Sequence, residues 1–600
     1  TVIRAAILIQ KWYRFTMARL EMRRRYSLSI FQSIEYADEQ DQLQVCNLPS
    51  LLYKQLCYPQ EFSQIFTSPS APQVVDEDLC LKEFEKKIDV PDSYYGPRLS
   101  FPLTVEDANA LLHAFRNEQL LHARYVLQLL SETRRVLKEM PNITHLSTSY
   151  SKDITVCGDL HGNLDDLLLI FYKNGLPSEQ NRYVFNGDFV DRGKNSMEIL
   201  IILFAFLLIY PNDLHLNRGN HEDYIMNLRY GFTKEVSKKY KDHWKQILCL
   251  LRDVFSWLPL ATIIDSKVLI LHGGISDTTD LDFLNALERN KVRDHIRVRV
   301  ILFSFKNFVI LDILWSDPRS QNGCTPNKCR GGGCYFGPDV TAKLFERYNL
   351  KMLIRSHEFK PEGYEISHDG KVITIFSASN YYEEGSNRGA YIKLNPELTP
   401  RFVQYQVSKF TCRQKLRERV GTIESSALKS LREKIYAHRS ELTSAFAQYD
   451  VNGTGWISVN DWAAAMESVL QLELPWRMLR SQLAQMNPDG EVDFMSCFYD
   501  LKMDQPIKEA QPALAETLCR YRKDLEIIFN IIDKDHSGLI SLEEFSQTWR
   551  LFTSHLGIDV QDDSIDKLVL SIDYNKDGHI DFNEFLEAFH IVQRLEKKAT

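Results

Sequence analysis

The sequence has no apolar run long enough to cross a bilayer. Its longest, from Ile199 to Tyr210, is shorter than the roughly 20 residues a membrane-spanning helix needs and predicts a buried helix. The first apolar stretch is interrupted by Arg4, Lys11 and Arg14, which argues against a secretory signal. Cysteine is also sparse, with 11 in 600 residues and no regular pairing, which predicts a reduced intracellular protein rather than a disulfide scaffold.

The whole chain lacks a strong charge of either sign, which excludes a nucleic-acid-binding polycation. Lys and Arg total 72 against 80 Asp and Glu, for a net charge of −8. The two ends differ, because residues 1–25 carry seven Lys or Arg and one Glu, whereas residues 431–600 carry 17 basic and 29 acidic residues. A basic head and an acidic tail predict a partner of opposite charge at each end, with a cation among the candidates.

Six hundred residues are too many for one core and predict several domains. From 100 to 408, short apolar strands alternate with helices, which indicates an α/β (α+β) domain. Helix–loop–helix repeats follow, which predicts an all-α module. The predicted segments are a basic helix at 1–25, a proline-containing linker at 26–99, the α/β domain at 100–408, a linker helix at 409–436 and two repeat pairs at 437–508 and 515–600.

Five apolar runs in the α/β segment end in residue types that bind metals. The candidate ligands are Asp159, His161, Asp188, Asn220, His272 and His357. Because ligands bind at the carboxyl ends of strands, we expect these side chains at one rim. Imidazole, carboxylate and amide oxygen together suit Mn, Fe or Zn. Six ligands exceed the number that one open catalytic ion uses, so we predict two ions that activate a bridging water for attack on a phosphoester.

Phosphoester hydrolysis also needs cations for the phosphate and an acid for the leaving group. Arg192, Arg218 and Arg330 are available to neutralise phosphate oxygens. His221 is the candidate general acid, with Asp191 as its orienting carboxylate.

These motifs, GDLHG, GDFVDRG, RGNHE, HGG, RSHE and FSASNYYEEGSNRGAY, resemble those of the metal-dependent serine/threonine protein phosphatases of the PPP superfamily. The resemblance covers about residues 100–408 and implies two layers of helix around a central β-sandwich. It also implies site roles. Asp159, His161 and Asp188 would hold the first ion, and Asn220, His272 and His357 would hold the second, with Asp188 bridging the two. His221 would donate a proton, with Asp191 as its partner. Arg192, Arg330 and Tyr381 would line the phosphate.

The sequence departs from this family pattern in two places. Asn380-Tyr381-Tyr382 stands where the family has Asn-Tyr-Cys, so a cysteine that electrophilic inhibitors attack is absent. The stretch from Val292 to Ile310 alternates like a strand where the family has a helix and a loop.

Two twelve-residue loops in the acidic tail fill every ligand position of an EF-hand, with a glycine for the turn and a bidentate Glu at the end. We predict Ca²⁺ binding by Asp533, Asp535, Ser537, Leu539 and Glu544 in one loop, and by Asp573, Asn575, Asp577, His579 and Glu584 in the other. Ile540 and Ile580 should pair the two loops as a short sheet.

An earlier pair of loops is weaker. The first ends in a short carboxylate, which predicts weaker or more Mg²⁺-like binding by Asp450, Asn452, Thr454, Trp456 and Asp461. The second runs from Gln485 to Ser496 and lacks both terminal carboxylates, so we expect a pairing scaffold without an ion. Four hands in two pairs predict a calmodulin-like module.

The basic head matches an IQ motif except that Phe15 replaces the usual Gly. Ile9, Gln10, Arg14 and Arg19 are the candidate contacts with calmodulin or a calmodulin-like protein. A helix on membrane lipid and a solvated basic face are the alternatives. A contact between the head and the acidic tail of the same chain is a further expectation.

An IQ motif, a PPP catalytic domain and EF-hands together resemble the retinal degeneration C-like subfamily of serine/threonine protein phosphatases with EF-hands. The resemblance implies Mn²⁺-supported hydrolysis of phosphoserine and phosphothreonine in proteins, regulated by Ca²⁺ or calmodulin. A metallophosphoesterase for nucleotides or small phosphoesters, and a non-enzymatic calcium-responsive scaffold, remain alternatives. We expect a cytoplasmic protein, with peripheral membrane association if a lipid-attachment signal precedes Thr1.

Overall fold

The computed structural model describes residues 2–45, 88–150, 153–291, 305–407 and 416–499, together with isolated positions between 516 and 585. The chain divides into two compact units. One, the regulatory unit, comprises Thr1–Asp38 and Phe410–Thr600, and the other, the catalytic unit, comprises Glu39–Lys409. Within the described ranges, no helix combines the length and the apolar character needed to cross a bilayer.

The catalytic unit contains fourteen strands among its described residues. They are β1 (Ile143–Leu146), β2 (Ile154–Cys157), β3 (Arg182–Phe185), β4 (Leu214–Leu216), β5 (Ala261–Ile264), β6 (Val268–Leu271), β7 (Asp317–Pro318), β8 (Cys324–Pro326), β9 (Cys334–Phe336), β10 (Met352–Arg355), β11 (Tyr364–Ser367), β12 (Val372–Ile375), β13 (Gly389–Leu394) and β14 (Pro400–Tyr405).

Two sheets pack face to face and form the predicted β-sandwich. One has the strand order β1-β5-β6-β10-β12-β11 and the other β14-β13-β2-β3-β4. Strands β2, β3 and β4 are parallel, and so are β6, β10 and β12. Val156 and Ile392 of the second sheet share a fully buried cluster with Ile270 and Ile354 of the first. A third, small sheet is formed by β7, β9 and β8.

Helices of the catalytic unit surround this sandwich. Beyond α1 (Val2–Val45), which spans both units, they are α2 (Val105–Arg116), α3 (Ala123–Glu139), α4 (Leu164–Asn174), α5 (Ser196–Ile209), α6 (Tyr224–Tyr230), α7 (Phe232–Lys239), α8 (Trp244–Ser256), α9 (Leu281–Ala286), α10 (Phe305–Trp315) and α11 (Pro338–Tyr348). Helix α5 is buried on all sides over Ser196–Leu207, which confirms the buried helix predicted from its apolar run.

Helix α10 corrects the strand-like interpretation of the last six residues of the segment from Val292 to Ile310. Residues 292–304 lie outside the described part of the chain, but Phe305 begins a helix that continues to Trp315. Its buried residues Val309, Ile310, Ile313 and Leu314 follow helical spacing and pack in one cluster with Leu353 and Val372. The apolar pattern predicts a helix here once residues 311–315 are included with residues 305–310.

The regulatory unit is helical, as predicted. After α1 come α12 (Leu416–Ala437), α13 (Arg439–Tyr449), α14 (Val459–Leu470) and α15 (Trp476–Leu483), and the short strands are β15 (Trp456–Ile457), β16 (Gln485–Met486), β17 (Val492–Asp493), β18 (Ile540–Ser541) and β19 (His579–Ile580). Ile457 pairs with Val492, so the first two loops are joined as in an EF-hand pair. Ile540 pairs with Ile580, which confirms the predicted pairing of the last two loops.

Helix α1 extends to Val45, which corrects its predicted end at residue 25 and removes the following twenty residues from the predicted linker. Leu28 and Ile30 are buried, and Ile30 belongs to the same cluster as Leu431 and Trp462 of the regulatory unit. Arg23 forms an ion pair with Glu424. Glu424 precedes the acidic tail at 431–600 and Ile30 follows the basic head at 1–25, so a contact between the head and the tail themselves stays a prediction.

Candidate dinuclear metal centre

The six predicted metal ligands lie in loops that follow strands of both sheets. Asp159, His161, Asp188 and Asn220 follow β2, β3 and β4 of the five-stranded sheet, whereas His272 and His357 follow β6 and β10 of the six-stranded sheet. All six side chains are buried. Because the two sheets face each other, the loops at their ends can meet over one site.

Asp188 lies at the centre of the cluster. Its carboxylate oxygen Oδ2 lies 3.7 Å from His161 Nε2 and 3.4 Å from His272 Nε2. The Nε2 atom of His161 also lies 3.8 Å from Oδ2 of Asp159. Two groups of possible ligands share this aspartate, one with His161 and His221 and the other with His272 and His357. A carboxylate common to both groups is the arrangement expected of a residue that bridges two ions.

The backbone at the site is held in an unfavourable conformation. His161, Asp188 and His357 have φ values of 44°, 53° and 67°, and Asp191 and Arg192 have φ values of 72° and 69°. Each such residue costs about 1–3 kcal/mol, and strain of this kind is concentrated at functional sites. A side chain at Gly219 would collide with the Asp188 carboxylate and backbone nitrogen, so this position requires glycine.

Three of the predicted ligands, His161, His357 and Asp188, have protonation states that suit metal ions. Burial lowers the pKa of His161 to about 3 and the pKa of His357 well below its usual value, so both imidazoles are neutral near pH 7. Burial alone would raise the pKa of Asp188, but the neighbouring His272 and His221 more than offset this and keep the carboxylate ionised. Neutral imidazole and ionised carboxylate are the forms that bind metals.

Two of the predicted metal ligands have a buried side-chain atom without a hydrogen-bond partner in the described part of the chain. These atoms are His357 Nε2 and Asn220 Nδ2. His161 and His272 each have Nδ1 within hydrogen-bond distance of a backbone carbonyl, of Val190 at 3.0 Å and of Asn186 at 2.8 Å. Because a carbonyl only accepts, each Nδ1–H donates. The Nε2 atom of His272 lies 2.8 Å from Asn220 Oδ1, so two predicted ligands of the second ion contact each other. These imidazoles are therefore oriented to hold metal ions.

Glu222 supports the cluster and is a residue that the sequence interpretation missed. Its carboxylate accepts hydrogen bonds of 2.8 Å from the backbone N–H groups of Asp188, Phe189 and Gly219. The signal was present, because Glu222 directly follows His221 in the RGNHE motif. The carboxylate ties the loop after β3 to the loop after β4.

His221 has the geometry and charge of a proton donor. Its Nδ1 lies 2.8 Å from Oδ2 of Asp191, as predicted. Asp191 is itself held by the backbone N–H of Phe232 and by Asn227 Nδ2, each at 3.0 Å. Burial would lower the pKa of His221, but the carboxylates of Asp188 and Asp191 outweigh it and raise the pKa to about 9. The ring is therefore protonated near pH 7.

Two of the three candidate phosphate arginines lie beside the cluster. The guanidinium of Arg192 packs on the rings of Tyr230 and Tyr381, with its central carbon 4.2 and 5.5 Å from the two centroids. Arg330 donates from Nη2 to the backbone carbonyl of His357 at 3.1 Å. The Tyr381 ring lies 5.2 Å from the ring of His161. These contacts place both guanidinium groups and Tyr381 next to predicted metal ligands.

Arg218 has a different role. Its guanidinium donates through Nε and Nη2 to the backbone carbonyl of Glu222, at 3.3 and 3.1 Å. It therefore holds the turn that carries Asn220 and His221, which favours a structural role over phosphate binding. A contact between Arg218 and the phosphate stays a prediction.

Tyr382, at the position where the PPP family has cysteine, joins an aromatic cluster. Its ring lies 4.8 Å from the rings of both Phe359 and Tyr381. A bulky phenol therefore replaces a thiol beside the predicted phosphate site.

The predicted calcium ligands are partly described. Asp450 accepts from the backbone N–H of Thr454 at 2.8 Å and of Gly455 at 2.7 Å, as a loop ligand does. Glu544 and Glu584 accept from the backbone N–H groups of Ser541 and Asp581. Of the other predicted ligands in the last two loops, Asp533, Leu539 and His579 are described, whereas Asp535, Ser537, Asp573, Asn575 and Asp577 lie outside the described residues.

The predicted calmodulin contacts lie on helix α1. Gln10, Arg14 and Arg19 are exposed, and the side chain of Ile9 lies outside the described part. Trp12, Tyr13 and Phe15 are 67%, 59% and 59% exposed, which is unusual for large apolar side chains. This end of the helix is accessible to a partner.

Three family models match parts of the chain. The calcineurin-like phosphoesterase family matches residues 152–361, the EF-hand domain pair matches residues 439–547 and 522–590, and the PPP5 TPR repeat region matches residues 53–145. The last match begins in the predicted linker and continues through helices α2 and α3.

The chain is also similar to known proteins over nearly its whole length. It is 55% identical to serine/threonine-protein phosphatase with EF-hands 1 from Homo sapiens, over 99% of this chain and 96% of that protein. It is 44% identical to serine/threonine-protein phosphatase rdgC from Drosophila melanogaster, over 98% and 90%. A solved serine/threonine phosphatase from Saccharomyces cerevisiae is 28% identical, with a TM-score of 0.46, and covers 52% of this chain and 100% of its own.

Proposed function

The chain belongs to the family of serine/threonine-protein phosphatases with EF-hands, and from this premise we propose a role for each residue of its active site. It is a protein-serine/threonine phosphatase with a two-metal catalytic domain, phosphoprotein substrates and calcium-responsive EF-hands.

Asp159, His161 and Asp188 would hold the first ion, and Asp188, Asn220, His272 and His357 would hold the second. When bound, the two ions would supply a water of lowered pKa and polarise the phosphoester. The observation that supports this assignment is the position of Asp188 within 3.7 Å of two imidazoles from opposite sheets.

The remaining residues bind the phosphate and move the proton. Arg192 and Arg330 neutralise phosphate oxygens, and Tyr381 lines the same pocket. His221, held at Nδ1 by Asp191, donates a proton to the leaving oxygen of the serine or threonine side chain. Its site is buried, so the proton is held away from bulk water.

The test of the ligand assignment is Asp188→Asn, compared with Asp369→Asn as a control on the surface of the same unit. We expect Asp188→Asn to bind fewer than two metal ions per chain and to lose turnover of a phosphothreonine peptide. The control should keep both properties. Two tightly bound ions and normal turnover in Asp188→Asn would contradict the assignment.

Manganese is the proposed activating metal. The donor set of imidazole, carboxylate and amide oxygen contains no thiolate, and such sets suit Mn²⁺ as well as Fe and Zn. Metal-stripped protein reconstituted with each ion should recover the most turnover with Mn²⁺. Greater recovery with Fe²⁺ or Zn²⁺ would overturn the choice.

Calmodulin, or a calmodulin-like protein, is the proposed partner of helix α1. The exposed Trp12, Tyr13 and Phe15, interleaved with Arg14, suit an acidic partner that has an apolar groove. Full-length chain carrying Trp12→Ala and Arg14→Ala should bind calmodulin at least about tenfold more weakly than wild type. Unchanged calmodulin binding, or preferential binding to anionic vesicles, would contradict this partner.

Calcium acts through the two complete loops. Loading the loops of Asp533 and Asp573 is proposed to open an apolar groove in the regulatory unit. Glu544→Gln with Glu584→Gln removes both bidentate ligands, so the calcium dependence of the phosphatase rate should disappear. A calcium titration with the same response in wild type and in the double variant would contradict this mechanism.

We also propose a cytoplasmic location. Cys157, Cys334 and Cys497 are free thiols, the state expected in a reducing compartment. Fractionation of cells that express a tagged chain should recover it with soluble proteins. Recovery in a secretory fraction would contradict the proposal, and recovery on membranes would favour peripheral attachment.

A further inference from the structure

Arg330, a proposed phosphate ligand, already contacts two carboxylates. Its Nε donates to Asp317 Oδ2 at 2.6 Å, and its Nη1 donates to Glu39 Oε2 at 2.8 Å. The two carboxylates differ in kind. Asp317 lies in strand β7 within the catalytic fold. Glu39 lies on helix α1, and 291 positions along the chain separate it from Arg330.

Asp317 is shared with a second arginine. Its other oxygen, Oδ1, accepts from Arg355 Nη2 at 2.8 Å. Arg355 also donates from Nη1 to Glu358 Oε2 at 2.8 Å, so it has a second carboxylate partner of its own. Glu39 is the corresponding second carboxylate partner of Arg330.

The contact is fully desolvated. Glu39 is 3% exposed and Arg330 is 2% exposed. Glutamate is almost never buried to this degree unless it is paired, and a buried charge-assisted hydrogen bond is strong. Glu39 Oε2 thus accepts a hydrogen bond from Arg330 Nη1, the nitrogen that would otherwise be available to an oxygen of the substrate phosphate.

We propose that the Glu39 carboxylate is an internal competitor of the substrate phosphate at Arg330. A carboxylate and a phosphate present similar anionic oxygens to a guanidinium group. Substrate phosphate and Glu39 therefore exclude one another at Nη1, and Glu39 must leave before phosphate contacts this atom. The inference rests on the proposed role of Arg330 in phosphate binding.

A purely structural ion pair makes a different prediction. If Glu39 only stabilises the fold, its replacement weakens folding and leaves phosphate affinity unchanged. If Glu39 competes, its replacement by the isosteric glutamine strengthens phosphate binding, because the neutral amide is displaced more easily than a carboxylate. Arg330 keeps Asp317 and the His357 carbonyl in either case.

The experiment compares full-length wild type, Glu39→Gln and Asp38→Asn with Mn²⁺ present. Asp38 is the matched control, because it is the neighbouring carboxylate on α1 and pairs with Lys434 at 3.6 Å. For each protein, KM and kcat are measured on a phosphothreonine peptide, and inorganic phosphate binding is measured by calorimetry. Thermal melting reports the fold, and Glu39→Ala is the second variant if the glutamine form melts early.

We expect Glu39→Gln to lower KM and the phosphate dissociation constant by about tenfold, with kcat changed less than about twofold. Asp38→Asn should match wild type. Equal KM and equal phosphate affinity in Glu39→Gln and wild type would overturn the proposal. A variant whose melting temperature falls while KM and phosphate affinity stay unchanged would overturn it as well. Absent turnover in all three proteins would contradict the proposed function. Phosphate calorimetry needs no turnover, so the phosphate affinities of the three proteins could still be compared.

Discussion

Replacing His221 by Asn removes the proposed proton donor and puts a neutral polar side chain in its place. Asp191 also accepts hydrogen bonds from Phe232 N–H and Asn227 Nδ2, which do not involve the His221 ring, so the pocket should keep its shape. A positioned general acid contributes about 10²- to 10⁴-fold to rate. This corresponds to about 3–5 kcal/mol of transition-state stabilisation.

The loss should depend on the leaving group. The alkoxide of a phosphothreonine is strongly basic and needs a proton, whereas the phenolate of p-nitrophenyl phosphate leaves without one. We therefore expect kcat to fall about 10²- to 10⁴-fold on a phosphothreonine peptide and by much less on p-nitrophenyl phosphate. KM should change little on either substrate, because His221 acts on the leaving oxygen.

The assay is steady-state turnover of both substrates by wild type, His221→Asn and His113→Asn with Mn²⁺. His113 is an exposed histidine of helix α2 and controls for the loss of an imidazole elsewhere in the catalytic unit. Equal losses on the two substrates would refute the proton-donor role and point to metal or phosphate binding instead. Full activity of His221→Asn on the peptide would refute it outright.

Two further predictions concern the support of the site. Glu222→Gln places an amide, in place of a carboxylate, opposite three backbone N–H donors, so metal affinity should fall about 10- to 100-fold. Metal competition measures this affinity, with the exposed Glu362→Gln as the control. Equal metal affinity in Glu222→Gln and the control would contradict the supporting role of Glu222. Ile354→Ala creates a cavity between the two sheets and should lower the free energy of unfolding by about 2–5 kcal/mol in denaturant titration. Ile366→Ala, half-exposed on β11, should cost far less, and an equal cost for both would disprove the packing account.

Much of the site could be predicted from the sequence, because its residues lie in short contiguous motifs. Asp188 and Asp191 are three positions apart in GDFVDRG, and a single turn after β3 presents both. The pairing of His221 with Asp191 also followed from such motifs. The ligands of the last two EF-hand loops could also be predicted from the sequence, since those of each loop fall within twelve residues.

Other features needed the tertiary structure, because they depend on contacts between distant positions. Arg218 was predicted to bind phosphate, yet its guanidinium turns to the Glu222 carbonyl. Sequence pattern can supply a charge at a strand end, but it does not determine the direction in which a long flexible side chain points. The end of α1 was also misjudged, since packing of Ile30 in the regulatory core sustains a helix beyond the basic motif.

The sequence by itself determined the chemistry, namely the ligand types, the proton donor and the calcium loops, because each is encoded by residue type at fixed short spacing. Only the tertiary structure decided that the ligands come from two facing sheets and that Glu39 contacts Arg330. The physical reason is that these contacts depend on how sheets and helices pack, and packing brings together residues that local patterns do not connect.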